Sequence, residues 1–169
     1  MEIERKFLIK ELPAHLEQCP CLFIEQAYLC TNPVIRIRRQ DEEYYLTYKG
    51  KGLMSREEYN LPLNKEAYEH LRPKADGNII SKKRYVIPLE NPQFKEGYSS
   101  YALSKSAENT VDLRIELDIF QEPFQPLIIA EVEFPDEEMA NAFLMPDWFK
   151  EDVTNNPAYH NSNLSKQSF

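Results

Sequence analysis

The chain begins Met1-Glu2-Ile3-Glu4-Arg5-Lys6-Phe7-Leu8, and the reading of this stretch decides the fold. It alternates as a β-strand does, because successive strand side chains point to opposite faces. Glu2, Glu4 and Lys6 share one face; Ile3, Arg5 and Phe7 share the other. Two carboxylates two residues apart on one face repel, so water, nearby cations or a bound metal ion must offset their charge. One strand alone fits a solvated face as well as a working one. The remaining strands decide between the two.

Working outward, residues 23–29 read as a strand and Asn32-Pro33 as a turn. Residues 34–38 alternate, with Arg36 and Arg38 opposite Ile35 and Ile37; residues 44–49 set Tyr45, Thr47 and Lys49 against Tyr44, Leu46 and Tyr48. Gly50-Lys51-Gly52 supplies a hairpin connection. Residues 55–63 alternate again, with Arg56, Glu58 and Asn60 on one face and Glu57, Tyr59 and Leu61 on the other. The stretch 64–72 predicts a helix capped by Asn64, burying Tyr68 and Leu71 and stopped by Pro73. Residues 79–87 form a strand with Lys82 and Arg84 on one face. The polar stretch 89–109, rich in Ser and Tyr, reads as a long hairpin tip or a loop.

The cleanest strand is 111–120, where Val111, Leu113, Ile115, Leu117 and Ile119 oppose Asp112, Arg114, Glu116 and Asp118. In 127–134, Ile128, Ala130, Val132 and Phe134 oppose Glu131 and Glu133. A second helix starts at Pro135, whose acidic first turn suits the helix dipole, buries Met139, Ala142 and Phe143, and ends by Pro146. Asp152-Val153-Thr154 suits a capped turn, and residues 160–169 read as a frayed tail. No linker or repeat interrupts residues 1–169, which fit one domain.

Composition excludes several function classes. A net charge of −8 disfavours nonspecific nucleic-acid binding. No apolar run is long enough to span a membrane. The acidic start does not read as a secretory signal, so a cytoplasmic location is expected. Cys19, Cys21 and Cys30 are odd in number and lack zinc spacing, and His15, His70 and His160 are scattered. Four glycines form no phosphate-cradling loop, so any phosphate must be held by side chains. A homodimer stays open.

The polar faces add up across strands. The cations are Lys6, Arg36, Arg38, Lys49, Arg56, Lys82 and Arg84, with Arg114 a further candidate; the carboxylates are Glu2, Glu4, Glu58, Glu116, Asp118, Glu131 and Glu133. Two architectures fit: an open antiparallel sheet showing its charges to water, or a closed barrel holding them inside. Two features favour the barrel. Signs are sorted by strand, and arginine, whose fork suits phosphate oxygens, recurs. A tunnel of bare charges is costly, whereas one holding a polyphosphate and hard divalent cations is balanced. Alternation alone leaves both architectures standing.

The motif Glu2-Ile3-Glu4-Arg5-Lys6 resembles the Glu-x-Glu-x-Lys signature of the CYTH superfamily, the triphosphate tunnel metalloenzymes. The resemblance continues in order through Arg36-x-Arg38, Thr47-Tyr48-Lys49, Arg56-x-Glu58, Lys82-x-Arg84, Glu116-x-Asp118 and Glu131-Val132-Glu133-Phe134. It implies a mainly β, α+β fold: an eight-stranded antiparallel barrel with a charged interior and a few flanking helices. It also implies a triphosphate substrate and Mg²⁺ or Mn²⁺. By the same resemblance Lys6, Arg36, Arg38, Lys49, Arg56, Lys82 and Arg84 grip the triphosphate. Glu2, Glu4, Glu58, Glu116, Asp118, Glu131 and Glu133 hold metal, and Lys82, Arg84 and Lys6 act in catalysis. Lys82 is the candidate for assisting the attacking water, with a phosphate clamp as its other role.

With the tail containing Trp148-Phe149 and Asp152-Val153-Thr154, the chain is most similar to short bacterial inorganic triphosphatases. The alternatives are a class IV-type adenylate cyclase, a thiamine triphosphatase and a non-catalytic polyphosphate or nucleotide-binding module. The sequence departs from the family pattern in three places. Asn60 stands where many members carry an acidic residue, His160-Asn161-Ser162 where a Lys-Asn pair is common, and 89–109 is long enough to serve as a lid.

Overall fold

In the computed structural model, which describes residues 1–98 and 112–169, the alternating stretches pair into one antiparallel sheet. Its strands are β1 (Glu2–Ile9), β2 (Cys21–Thr31), β3 (Val34–Gln40), β4 (Glu43–Lys49), β5 (Ser55–Arg56), β6 (Glu58–Leu63), β7 (Asp76–Pro88), β9 (Arg114–Phe120), β10 (Ile128–Glu133) and β12 (Phe149–Asp152). The order is β12-β1-β10-β9-β7-β2-β3-β4-β6, and β5 pairs with β1 at Glu2↔Arg56 and Ile3↔Ser55. Only Glu57 separates β5 from β6, so this short pairing links the β6 end of the ladder to β1, one strand in from the other end. The sheet is thus nearly closed as the expected barrel, with nine strands along the path where eight were expected.

The predicted strand 55–63 breaks at Glu57 because its two halves serve different neighbours: β5 pairs with β1 and β6 with β4. The hairpin before it needs glycine. Gly52 has φ +130, and a Cβ there would stand 2.1 Å from the Ser55 carbonyl oxygen. Helix α1 (Lys65–Leu71) is capped by Asn64, whose Oδ1 accepts from the Ala67 N–H at 2.8 Å. The chain turns on past Pro73 as a 3₁₀ turn over Arg72–Lys74. In α2 (Glu137–Ala142), Asp136 caps Met139 N–H at 2.7 Å, and Met139, Ala142 and Phe143 are buried as expected.

The apolar faces point outward, under the helices. Tyr68 of α1 packs on Ala27 and Ile37, while Ile3, Phe7, Leu117, Val132, Phe143 and Phe149 build a larger core beneath α2. Burying each of these large side chains contributes roughly 1.5–3 kcal/mol. Arg5 belongs to this outer layer. It donates to the carbonyls of Ala140 (2.7 Å) and Phe143 (2.9 Å), pairs with Asp152 at 2.5 Å and lies over the Phe7 ring. It thereby satisfies carbonyls at the end of α2 and pins that helix to β1.

Two expectations are corrected. Residues 160–169 are docked rather than frayed, because they have a buried apolar anchor and backbone partners. Leu164, in the short helix α3 (Asn161–Leu164), packs with Tyr28, Ile80, Phe120 and Ile129, and the Ser165 carbonyl accepts from Asn78 N–H at 2.6 Å. Gly77 (φ +73) makes room, since a Cβ would meet the Ser165 oxygen at 2.1 Å. Arg114 stays outside the barrel, exposed and paired with Asp112 at 2.7 Å. Of the predicted loop or lid, residues 89–98 are described: Gln93–Phe94 (β8) pairs with Phe143–Leu144 (β11) and Tyr98 is buried, while 99–109 lie outside the described residues. Among the described residues, no helix is long and apolar enough to cross a membrane.

Candidate functional site

The inward face closes around a cavity of about 200 Å³. Twelve of the fourteen residues expected at the site line it: Lys6, Arg36, Arg38, Lys49, Arg56 and Arg84, with Glu2, Glu4, Glu58, Glu116, Glu131 and Glu133. Register explains the assembly. Lys6 stands opposite Glu131, Glu131 opposite Glu116, and Arg84 opposite Asp118, so residues of one face meet across adjacent strands.

The wall formed by β1, β7, β9 and β10, continued by Lys49, Arg56 and Glu58 from β4, β5 and β6, is a network of alternating charge. Lys6 Nζ lies 2.8 Å from Glu4 Oε1 and also bonds Glu131. Arg84 reaches Asp118 Oδ1 at 2.7 Å through Nε and Glu131 Oε2 at 2.8 Å through Nη2, and its Nη1 meets Glu116. Lys49 Nζ bridges Glu2 (2.7 Å) and Glu58 (2.8 Å). Arg56 reaches Glu2 at 3.3 Å and Glu4 at 3.4 Å.

The facing wall differs. Arg36 and Arg38 are buried, and among the described residues neither has a carboxylate within ion-pair distance. Arg36 has Thr47 Oγ1 at 3.5 Å and the Tyr28 hydroxyl, while its Nε has no partner; Arg38 is held by Gln26. Two bare guanidinium groups in a closed polar cavity are an anion site in waiting.

Lys82 and Asp118 do not line the cavity. Both are fully buried, bonded to each other beneath Arg84, and Lys82 Nζ lies 5.3 Å from the centroid of the Phe120 ring. Alternation correctly puts them on the inner face but carries no information about depth. Ile80, Phe120 and Ile129 fill that end of the barrel with apolar bulk, and Leu164 plugs it. Burial lowers the Lys82 pKa to about 8, with Arg84 adding to the shift and Asp118 opposing it. Burial rather than neighbouring charge is the first cause of this shift.

The carboxylates divide by environment. Burial, then the charge of Glu4, raises Glu2 to about 7. Burial also works against ionisation of Glu4, but Lys6 outweighs it and brings Glu4 to about 2; Lys49 does the same for Glu58. Glu131 is held well below the usual range by Lys6 and Arg84 against the effect of burial. Glu133 is raised by partial burial and by Glu116, Glu4 and Glu58, and it has no cationic partner among the described residues. This oxygen-only set suits a hard divalent ion, which would relieve the repulsion around Glu133. Among the described residues no three carboxylates stand preassembled at coordinating spacing, since all but Glu133 are turned onto a lysine or arginine.

Several site residues were not singled out in the sequence. Gln26, Tyr28 and Tyr45 carry no formal charge and escape an argument built on sorted signs, although Gln26 and Tyr28 share the inner face of β2. Asn60, the neutral departure, donates to Glu58 Oε1 at 2.8 Å and accepts from Thr47 Oγ1 at 2.6 Å. From the tail, His160, Asn161 and Ser162 reach the cavity wall. The His160 ring nitrogen Nε2 meets the Thr154 carbonyl at 3.1 Å, and burial lowers its pKa.

Residues 1–134 match the CYTH domain. The inorganic triphosphatase of Nitrosomonas europaea is 34% identical over 168 residues, covering 97% of this chain and 96% of that protein. The inorganic triphosphatase of Acetivibrio thermocellus is 32% identical over 173 residues, covering 99% of this chain and 95% of that one. A solved structure of an inorganic triphosphatase matches 99% of this chain and 96% of its own at 30% identity, with a TM-score of 0.68.

Proposed function

Because the chain belongs to the CYTH domain family, we propose that it is a divalent-metal-dependent hydrolase of inorganic triphosphate. The observation that carries this reading is the pair of buried arginines, Arg36 and Arg38, which have no counter-ion among the described residues and stand on one wall of a closed polar cavity. Their forks take phosphate oxygens bidentately. Lys6, Lys49, Arg56 and Arg84 complete the grip from around the cavity, where the incoming anion competes with the carboxylates for their N–H groups. The cavity offers almost no apolar wall to a larger organic group, which suits a bare triphosphate.

Tunnel enzymes of this family are metal-dependent in general. Mg²⁺ or Mn²⁺ fits the oxygen donors of Glu2, Glu4, Glu58, Glu116, Glu131 and Glu133, and when bound such an ion neutralises phosphate charge and acidifies water. Asp118 lies behind this set as the counter-ion of Lys82 and Arg84.

In the reaction, a water oxygen bonds to the terminal phosphorus, the phosphoanhydride P–O bond breaks, and diphosphate leaves with the electron pair. Arg84 and Lys6 stabilise charge that grows on the leaving oxygens. Lys82 carries two candidate roles. As a base it would have to reach the attacking water, but it is buried beneath Arg84 and does not line the cavity; the geometry supports the clamp, in which it holds Asp118 and, through it, Arg84, while the water's proton passes to solvent. A cytoplasmic location accords with the three free thiols.

The test incubates the protein with Mg²⁺ or Mn²⁺ and, separately, inorganic triphosphate, ATP and thiamine triphosphate. Phosphate release from inorganic triphosphate in preference to the others is expected. Cyclic AMP and pyrophosphate from ATP would overturn the proposal, preference for thiamine triphosphate would replace the substrate, and tight binding without turnover would make the protein a binding module.

A further inference from the structure

Gln26 on β2 stands directly opposite Arg38 on β3. It is fully buried, and its Oε1 accepts two hydrogen bonds from the Arg38 guanidinium, from Nε at 3.1 Å and from Nη2 at 2.8 Å. Its Nε2 has no partner among the described residues. This is the geometry that usually fixes an arginine against a carboxylate, with a neutral amide in the carboxylate's place. A glutamate has the same length and shape, so space does not dictate the choice.

The charge pattern does. Lys6, Lys49, Arg56, Lys82 and Arg84 each touch at least one carboxylate. Among the described residues Arg38 meets only Gln26 and the Tyr45 hydroxyl, both neutral, although burial and the nearby charges of Arg36 and Arg84 work against its own charge. A buried, hydrogen-bonded but unneutralised cation is costly in the absence of an anion. It is useful if the anion is the ligand.

We propose that Gln26 is a positioning residue for the triphosphate: it aims the Arg38 fork into the cavity and, being neutral, leaves the whole of its charge to the substrate. This rests on the triphosphatase reading above. It predicts that Gln26→Glu, which can keep both hydrogen bonds, is worse for ligand binding than Gln26→Met, which loses them. A residue that only filled space or braced the sheet would give the reverse order.

The test is calorimetric titration of chelator-treated protein with inorganic triphosphate, alongside thermal unfolding of each variant. Expected are a roughly 10- to 100-fold weaker Kd for Gln26→Glu with a melting temperature at or above that of the wild type, and a roughly 3- to 10-fold weaker Kd for Gln26→Met with a lower melting temperature. Independently of whether Gln26→Glu folds, the Gln26→Met effect on Kd should vanish in an Arg38→Met background. Gln26→Glu binding as tightly as the wild type, or more tightly than Gln26→Met, overturns the assignment. So does an undiminished Gln26→Met effect without Arg38. Wild-type protein that fails to bind triphosphate both metal-free and with Mg²⁺ added overturns the triphosphate reading and this inference with it; wild-type binding that the variants leave unchanged overturns the Gln26 role alone.

Discussion

Asp118→Asn separates a counter-ion beneath the cavity from a metal ligand on its wall. Asp118 accepts from Arg84 Nε and Nη2, each at 2.7 Å, and from Lys82 Nζ. Asparagine keeps one acceptor for Arg84 but turns an N–H₂ toward the lysine or loses a bond to the arginine. A buried cation deprived of its partner normally costs about 3–5 kcal/mol. Here the lysine can limit that cost by shedding its proton. In the wild type its folded pKa of about 8 against 10.5 already amounts to roughly 3 kcal/mol of disfavoured charge. Carrying it fully neutral costs about 5 kcal/mol at pH 7 and about 6 kcal/mol at pH 6, measured from 10.5. The Lys82 share of the Asp118→Asn penalty is therefore capped at about 1–2 kcal/mol at pH 7 and about 3 kcal/mol at pH 6, and disappears above pH 8.

The sign follows from proton counts. In the variant, the folded state loses the Lys82 proton below pH 8 while the unfolded chain keeps it up to 10.5, so the variant gains stability as pH rises through that window relative to wild type. Urea unfolding of metal-free protein at pH 6, 7, 8 and 9 should show a destabilisation that shrinks by up to about 1.4 kcal/mol per unit below pH 8. A pH-independent remainder from Arg84 should persist. Adding Lys82→Met should remove the pH-dependent part. A destabilisation that does not change with pH, or an Asp118→Asn protein of wild-type stability that binds Mg²⁺ or Mn²⁺ poorly, would refute the argument and return Asp118 to the metal ligands.

Three further outcomes follow from other parts of the site. Glu2 has a folded pKa near 7 against 4.5, so the folded protein binds the extra proton and metal-free stability should fall as pH rises from 4.5 to 7, by about 1–3 kcal/mol; Glu2→Gln should flatten that slope in urea titrations, and an unchanged slope would show the proton sits elsewhere. Thr154 Oγ1 accepts from Lys6 N–H at 3.1 Å and donates to Asp152. Thr154→Val should cost about 1–3 kcal/mol, and Thr154→Ser should recover most of it; equal losses would mean the methyl group matters rather than the hydroxyl. Deleting residues 1–4 removes Glu2, Glu4 and the β1–β5 pairing, so turnover of triphosphate should vanish while cooperative unfolding persists. A fully active truncated protein would contradict the place given to β1.

The barrel was legible because its strands are amphipathic in a period of two, with like charges repeated at i and i+2. β1, β3, β4, β9 and β10 were found from that signal, and their inner faces do meet. What the signal lacks is the third coordinate. It gave Lys82 and Asp118 their face but not their depth, which depends on Phe120, Ile80 and Ile129 closing that end of the barrel. It could not show that 55–63 changes partner at Glu57, because both halves alternate in phase. Helix α3, four residues long, is too short to display a helical period, so the anchoring of the tail by Leu164 was invisible locally. Gln26 was missed for a different reason: a neutral residue adds nothing to a tally of charges, although its neutrality is what distinguishes Arg38.

That distinction also bears on what the cavity is built to hold. Among the described residues, of seven inner cations and seven carboxylates, five cations and six carboxylates neutralise one another; Arg36, Arg38 and Glu133 are left over, on opposite walls. An anion alone would answer the arginines but would sharpen the repulsion around Glu133, where burial and three neighbouring carboxylates already oppose ionisation. A cation alone would answer Glu133 and leave the arginines bare. Only a ligand that brings both signs, a triphosphate together with a divalent ion, completes both walls at once. The residual charges therefore favour joint over separate occupancy, and by linkage each component must strengthen the binding of the other by the same factor.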